Sequence, residues 1–151
     1  MMLKLILTAF LGLFSGSNED RHYWNQFIDE HGMSELADVD PDFREELLVF
    51  RYFSEVYNGG HLQYFLNLDD YPWEETADAM ENMGAREHAR ILRRAIVVWR
   101  AEQRKPPRTA EEFVEEAQKD ELGEFDSAMY RLKPIIEDYL DKSIIQKYKR
   151  R

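Results

Sequence analysis

Apolar residues recur along most of this chain at spacings of three and four, and beyond the N-terminal segment no alternating run bounded by turn residues appears. That period is helical and predicts an all-α fold. Asn18 caps a predicted helix carrying Tyr23, Trp24, Phe27 and Ile28 and ending at Gly32. Asp40-Pro41 supplies the next N-cap with proline at the first helical position. The helix that follows carries Phe43, Leu47, Leu48, Phe50, Phe53 and Val56, an apolar face wide enough to place it near the centre of the domain. Asn58-Gly59-Gly60 ends or sharply kinks it, because glycine reaches left-handed angles without a Cβ clash.

A short helix from His61 to Asn67 is predicted next, then a loop over Asp69-Asp70-Tyr71-Pro72. A helix from about Trp73 to Met83 stops at Gly84, and another runs from Ala85 to about Gln103 with Ala89, Leu92, Ile96 and Trp99 inward. Lys105-Pro106-Pro107-Arg108 breaks it, and Thr109 with Glu112 forms a capping box for the next helix. From Phe125 to Tyr148 the helical spacing continues, with Pro134 marking a new start or a kink. The expected architecture is a single compact domain of about seven helices over residues 18–151.

Residues 1–17 stand apart. One lysine precedes an apolar run from Leu5 to Phe14, and small residues Ser15-Gly16-Ser17 follow. This is the layout of a short export signal. It is too short to span a bilayer as a helix, which takes about 20 apolar residues. Lys4, Thr8, Gly12 and Ser15 also fall on one narrow helical stripe, which suits a helix packed on the domain or lying in a membrane interface. Both readings stay open. A packed segment goes with a cytoplasmic protein, and a cleaved or anchoring one with an exported or membrane-associated protein whose acidity serves solubility.

Composition narrows the function classes. At 151 residues, with 44% hydrophobic content, the chain buries roughly 68–70% of its unfolded surface and needs no staple. It has no cysteine, which excludes a disulfide scaffold, a thiol nucleophile and a thiolate metal site. The net charge of −10 and the pI near 4.9 oppose direct binding to nucleic acid and suit a basic protein partner. The acids are clustered, with a basic stretch between Arg86 and Arg108 and a second at Lys147, Lys149, Arg150 and Arg151. Some of these cations are expected to pair with acids of neighbouring helices.

Signals for catalysis are weak. The histidines, His22, His31, His61 and His88, show no i, i+4 pair, and His-Glu-x-x-His does not occur. No glycine-rich phosphate loop and no Gly-x-Ser-x-Gly elbow is present. No cofactor or metal is expected, and the chain reads as a non-enzymatic protein.

Two features invite a functional reading. Asn58, Gly59, Gly60, Gln63, Tyr64 and Asn67 gather amides and an aromatic at a backbone break, where such groups satisfy freed backbone donors and acceptors. Glu74, Asp78 and Glu81 line one helical face with Glu75 beside them, and Asp69 and Asp70 precede them. Glu74 to Glu81 spans about 10 Å of helix axis. A row of carboxylates at this spacing imitates a line of phosphates and attracts a Lys/Arg surface. Glu111, Glu112, Glu115 and Glu116 make a second row.

Glu55-Val56-Tyr57-Asn58-Gly59-Gly60, continued by Gln63-Tyr64-Phe65 and Asn67, resembles the signature of the bacterial DMP19-like domain of unknown function. An acidic helix, Met83-Gly84-Ala85 and a helix with Ala89-Arg90-Ile91-Leu92 fit it too, as does Phe125-Asp126 to Tyr130, so that the resemblance covers about residues 20 to 145. It implies an all-helical fold and supplies no catalytic residues. The family's named member is an acidic dimer that mimics DNA and occupies the DNA-binding surface of a transcriptional repressor. The expectation for this chain is a module that binds a basic protein surface, in its sharpest form that of a DNA-binding regulator, through Asp69, Asp70, Glu74, Glu75, Asp78 and Glu81. A homodimer is compatible with the resemblance, and membrane contact through Met1–Phe14 stays open.

Overall fold

The computed structural model describes residues 20–101, 108–119 and 121–151. The expectations for residues 1–17, for the Asn18 cap, for the helix end near Gln103 and for the break at 105–107 lie outside the described residues. Within them the chain is all-α, with seven helices, one 3₁₀ turn and no strand. The helices are α1 (Arg21–His31), α2 (Arg44–Asn67), α3 (Trp73–Asn82), α4 (Arg86–Ala101), α5 (Ala110–Gln118), α6 (Gly123–Arg131) and α7 (Ile136–Arg150). The 3₁₀ turn Pro41–Phe43 leads into α2, opened by Asp40, whose carboxylate accepts from the Asp42 N–H.

The central position of α2 follows from its composition. Leu47 to Phe50 and Tyr52 to Val56 are consecutively buried, so this stretch has no solvent face. Helices α3, α6 and α7 pack against it, α4 packs on α3 and α6, and α1 packs on α7. The rings of Trp24 and Phe27 both meet Phe50 edge-on. Edge-to-face pairs of this kind add about 0.5–1.5 kcal/mol beyond the area they bury.

The two predicted helices, one ending near Asn58 and one starting at His61, are the two halves of Arg44–Asn67, which meet at a kink where Gly59 and Gly60 leave helical angles. No loop intervenes, because the chain changes direction at those residues and resumes helix at once. Gly84 (φ 94°) ends α3 as expected. The N–H of Ala85 reaches the carbonyl of Met80 and that of Gly84 reaches Glu81, so two orphan carbonyls are satisfied in a Schellman closure. At α5 the Glu112 N–H donates to Thr109 Oγ1, while the Glu112 carboxylate accepts from the N–H of Arg108 rather than that of Thr109. The helix is capped, with the reciprocal bond shifted by one residue. Phe113 and Val114 on α5 are exposed.

Candidate functional site

A helix broken in its middle frees carbonyls on one side and N–H groups on the other. Here α6 closes both. Asp126 Oδ1 accepts from the His61 backbone N–H at 2.8 Å, capping the second half of α2 from outside. One turn further along α6, the Tyr130 hydroxyl donates to the carbonyl of Val56 at 2.8 Å, on the first half. Gly60 sits at φ 75°, ψ −177°, a region open essentially to glycine alone. A Cβ there would lie 2.4 Å from Asp126 Oδ2, so the bare backbone is also what lets α6 approach.

The amides expected to close the break do something else. Gln63 and Asn67 both donate to Glu55 Oε2 at 2.8 Å. Glu55 lies before the break and is 3% exposed, so one buried carboxylate staples the two halves of α2 together. Two charge-assisted amide bonds offset the desolvation of that carboxylate. Tyr64 is fully buried and stands edge-on to Tyr52. Asn58 is exposed and its side chain makes no hydrogen bond among the described residues. Amides are good partners for a carboxylate on the same helix, whereas freed backbone groups at a kink point outward to the neighbouring helix, which is why α6 and not α2 supplies their partners.

His61 links this closure to the core. Its Nδ1 lies 2.6 Å from Asp126 Oδ1, and its Nε2 lies 2.8 Å from the Tyr52 hydroxyl. A carboxylate only accepts, so Nδ1 carries a proton toward Asp126, and Nε2 shares a hydrogen bond with the Tyr52 hydroxyl. The row Tyr52–His61–Asp126 has the connectivity of a proton relay. Tyr52 and His61 are fully buried, and burial pushes the Tyr52 phenol well above its ordinary range, so of the three only the Asp126 carboxylate, 24% exposed, meets solvent.

The acidic face of α3 is exposed, but it is not bare. Arg44 grips Glu75 through two bonds of 2.7 and 2.9 Å. Arg93 reaches both Asp78 and Glu81 at 2.7 Å, and Arg100 pairs with Glu74. Those four carboxylates remain between 44% and 67% exposed. Hydrogen bonds from the arginines hold the Glu74 and Glu75 carboxyls below the usual range. Asp69 and Asp70 are exposed with no cation among the described residues. Six acids therefore face three arginines, leaving three net negative charges. The expected pairing with cations of neighbouring helices leaves two of the six carboxylates free and four shared, because α4 lays Arg93 and Arg100 alongside α3 and α2 contributes Arg44. The basic C-terminus acts likewise: Arg151 engages Asp40 and Asp42, Lys149 engages Asp20, and Lys147 engages the buried Glu46.

A family model described as DMP19-like protein matches residues 37–148. The chain belongs to the DMP19-like family. No curated protein matches it, and no solved structure matches it.

This DMP19-like domain also buries two carboxylates that the sequence had not marked. Glu137 and Asp141, one turn apart on α7, are 3% and 7% exposed. Burial, reinforced by Asp138, raises Glu137 to about 7, and burial, reinforced by Glu137 and Asp138, raises Asp141 to about 8. Asp141 Oδ1 has no hydrogen-bond partner among the described residues, nor has the Tyr57 hydroxyl, which feels the Glu137 carboxyl. His88, packed edge-on to Tyr139, is held neutral by burial, its pKa lowered to about 4. Among the described residues no group of three or more Asp, Glu or His side chains converges as a metal site. No described helix is long and apolar enough to cross a membrane. Glu55, Asp126 and Tyr130 entered the sequence reading only through the family resemblance, and their bonds across the glycine break, with those of His61, were not assigned there.

Proposed function

We propose that this DMP19-like domain is a non-enzymatic, acidic protein-binding module, and that its α3 face takes the basic, DNA-binding surface of a transcription regulator. One observation carries the reading: on this face exposed carboxylates outnumber arginines by two to one, and every ion pair there is open to solvent. Exposed pairs are worth about 0–1 kcal/mol, so a partner's lysines and arginines can exchange for Arg44, Arg93 and Arg100 at little cost. Asp69 and Asp70 need no exchange and form the first point of contact. The rigid core behind the face, stapled at Glu55 and stitched by α6, holds the charges in register without an ordering cost on binding.

The test is capture from native lysate by the whole chain and by a D69N/D70N/E74Q/E75Q variant, each challenged with duplex DNA. The expected result is a DNA-binding protein retained by the unaltered chain, lost with the variant and displaced by duplex DNA. A retained protein indifferent to both changes would count against the reading. The internal pairing of Glu74, Glu75, Asp78 and Glu81 supports a second reading, in which the acidity only keeps the domain soluble. On that reading no basic protein is retained.

A further inference from the structure

The arginines of α4 do more than neutralise α3. A groove of about 600 Å³ runs between α4 and the start of α6, floored by Val97, Val98 and Phe125. Arg86, Arg90 and Arg94 edge it at four-residue intervals, about 6 Å apart along the helix. Like charges at that spacing repel by roughly 0.2–0.5 kcal/mol per pair in an isolated helix. Only Arg90 is relieved, by Glu87. Among the described residues Arg86 and Arg94 have no carboxylate partner. The Arg94 guanidinium lies 5.5 Å from the centre of the Phe125 ring, which holds it over the apolar floor. Val97 is 68% exposed beside this cationic edge. An acidic protein therefore carries one place where unpaired guanidinium groups and bare apolar surface adjoin.

We propose that this groove binds an organic anion with an apolar body and a single carboxylate head, of the size of a medium-chain fatty acid. Guanidinium matches carboxylate in a planar, two-bond geometry, and Arg86 and Arg94 are the two with donors to spare. Val97 and Val98 take the chain, with Phe125 buried behind the Arg94 guanidinium, and the volume falls within the range of small-molecule sites, about 300–1,000 Å³. The head carries one charge because Glu87 and Glu124 also line the groove and repel a polyanion. A nucleic acid or polyphosphate would meet those acids and the net charge of −10 as well.

The test is an amide-resolved NMR titration of the whole chain with octanoate, with octanol and acetate as neutral and chainless controls. Saturable octanoate shifts confined to α4 and the first turn of α6 are expected, with both controls at least about tenfold weaker. R86Q/R94Q and, separately, V97D should each weaken octanoate by about tenfold while the thermal midpoint holds. Scattered or absent shifts, octanol binding as well as octanoate, or full affinity in R86Q/R94Q would overturn the assignment. So would tighter binding of a peptide of residues 109–118, whose acidic face and exposed Phe113 and Val114 would make the groove a protein contact.

Discussion

At the scale of single residues, Gly60 is where backbone and function of the motif meet. Its angles cost a residue with a side chain about 1–3 kcal/mol, and the added Cβ would strike Asp126 at 2.4 Å. Gly60→Ala is therefore expected to destabilise the domain by about 3 kcal/mol or more, a fall of roughly 10 °C in the thermal midpoint. Gly59 differs. Its φ of −152° is accessible to any residue, and the obstacle to a Cβ is the Gln63 side chain. Gly59→Ala should cost the Gln63–Glu55 bond but no backbone strain, a smaller loss than Gly60→Ala, and equal losses in parallel melts would remove the positive-φ requirement. Asp126→Ala leaves the His61 N–H and Nδ1–H without their shared acceptor in a nearly dry site, an expected loss of about 2–4 kcal/mol by denaturant titration. The glycines were legible in the sequence because their chemistry is local. Asp126 was not, because it lies 65 residues further along the chain and a lone aspartate on a helix face has no signature of its own.

At the scale of elements, α6 is a clamp and α7 is a pH-sensitive strut. Most helix ends could be read from Gly32, Pro41, Gly84 and Pro134, whose effects on the backbone are local. The identity of the helix that crosses the break in α2 could not be read, since it depends on tertiary packing. The same limit hid Glu137 and Asp141, which look like solvated acids until α7 is seen laid against α2. Their folded pKa values, about 7 and 8, stand above the ordinary 4.5 and 3.8. Between pH 4 and pH 8 the unfolded chain has released these protons and the folded chain still holds them. Unfolding is then favoured as pH rises, and stability falls across that window. Glu74 and Glu75 have the opposite sign. Their folded pKa values are lowered, so their contribution is present above about pH 4.5 and is lost on acidification. Stability should peak near pH 5 and decline by a few kcal/mol toward pH 8. In E137Q/D141N the decline should flatten. Chemical denaturation at half-unit pH steps reads this directly, and an unchanged slope in the double variant would show that the buried pair is not its source.

At the scale of the whole molecule, the question is what an acidic protein does with its charge. Four of the six acids on and before α3 are engaged by Arg44, Arg93 and Arg100, and Asp40, Asp42 and Glu46 are engaged by the basic C-terminus. The all-α class and the family were legible from period and motif. Pairing between the basic stretches and acids of neighbouring helices was legible too, but not the particular pairs, which require knowing which helix lies beside which. The account makes Arg93 a competitor of the partner. Arg93→Gln frees Asp78 and Glu81, adds one net negative charge to the face, and should tighten binding of a basic protein by about two- to fivefold at low salt. The most direct measurement is the dissociation constant of the captured partner between 50 and 300 mM salt, for the unaltered chain and for the D69N/D70N/E74Q/E75Q variant. The account expects steep weakening with salt in the first and little residual binding in the second. Affinity that is flat in salt and survives neutralisation of the face would contradict it.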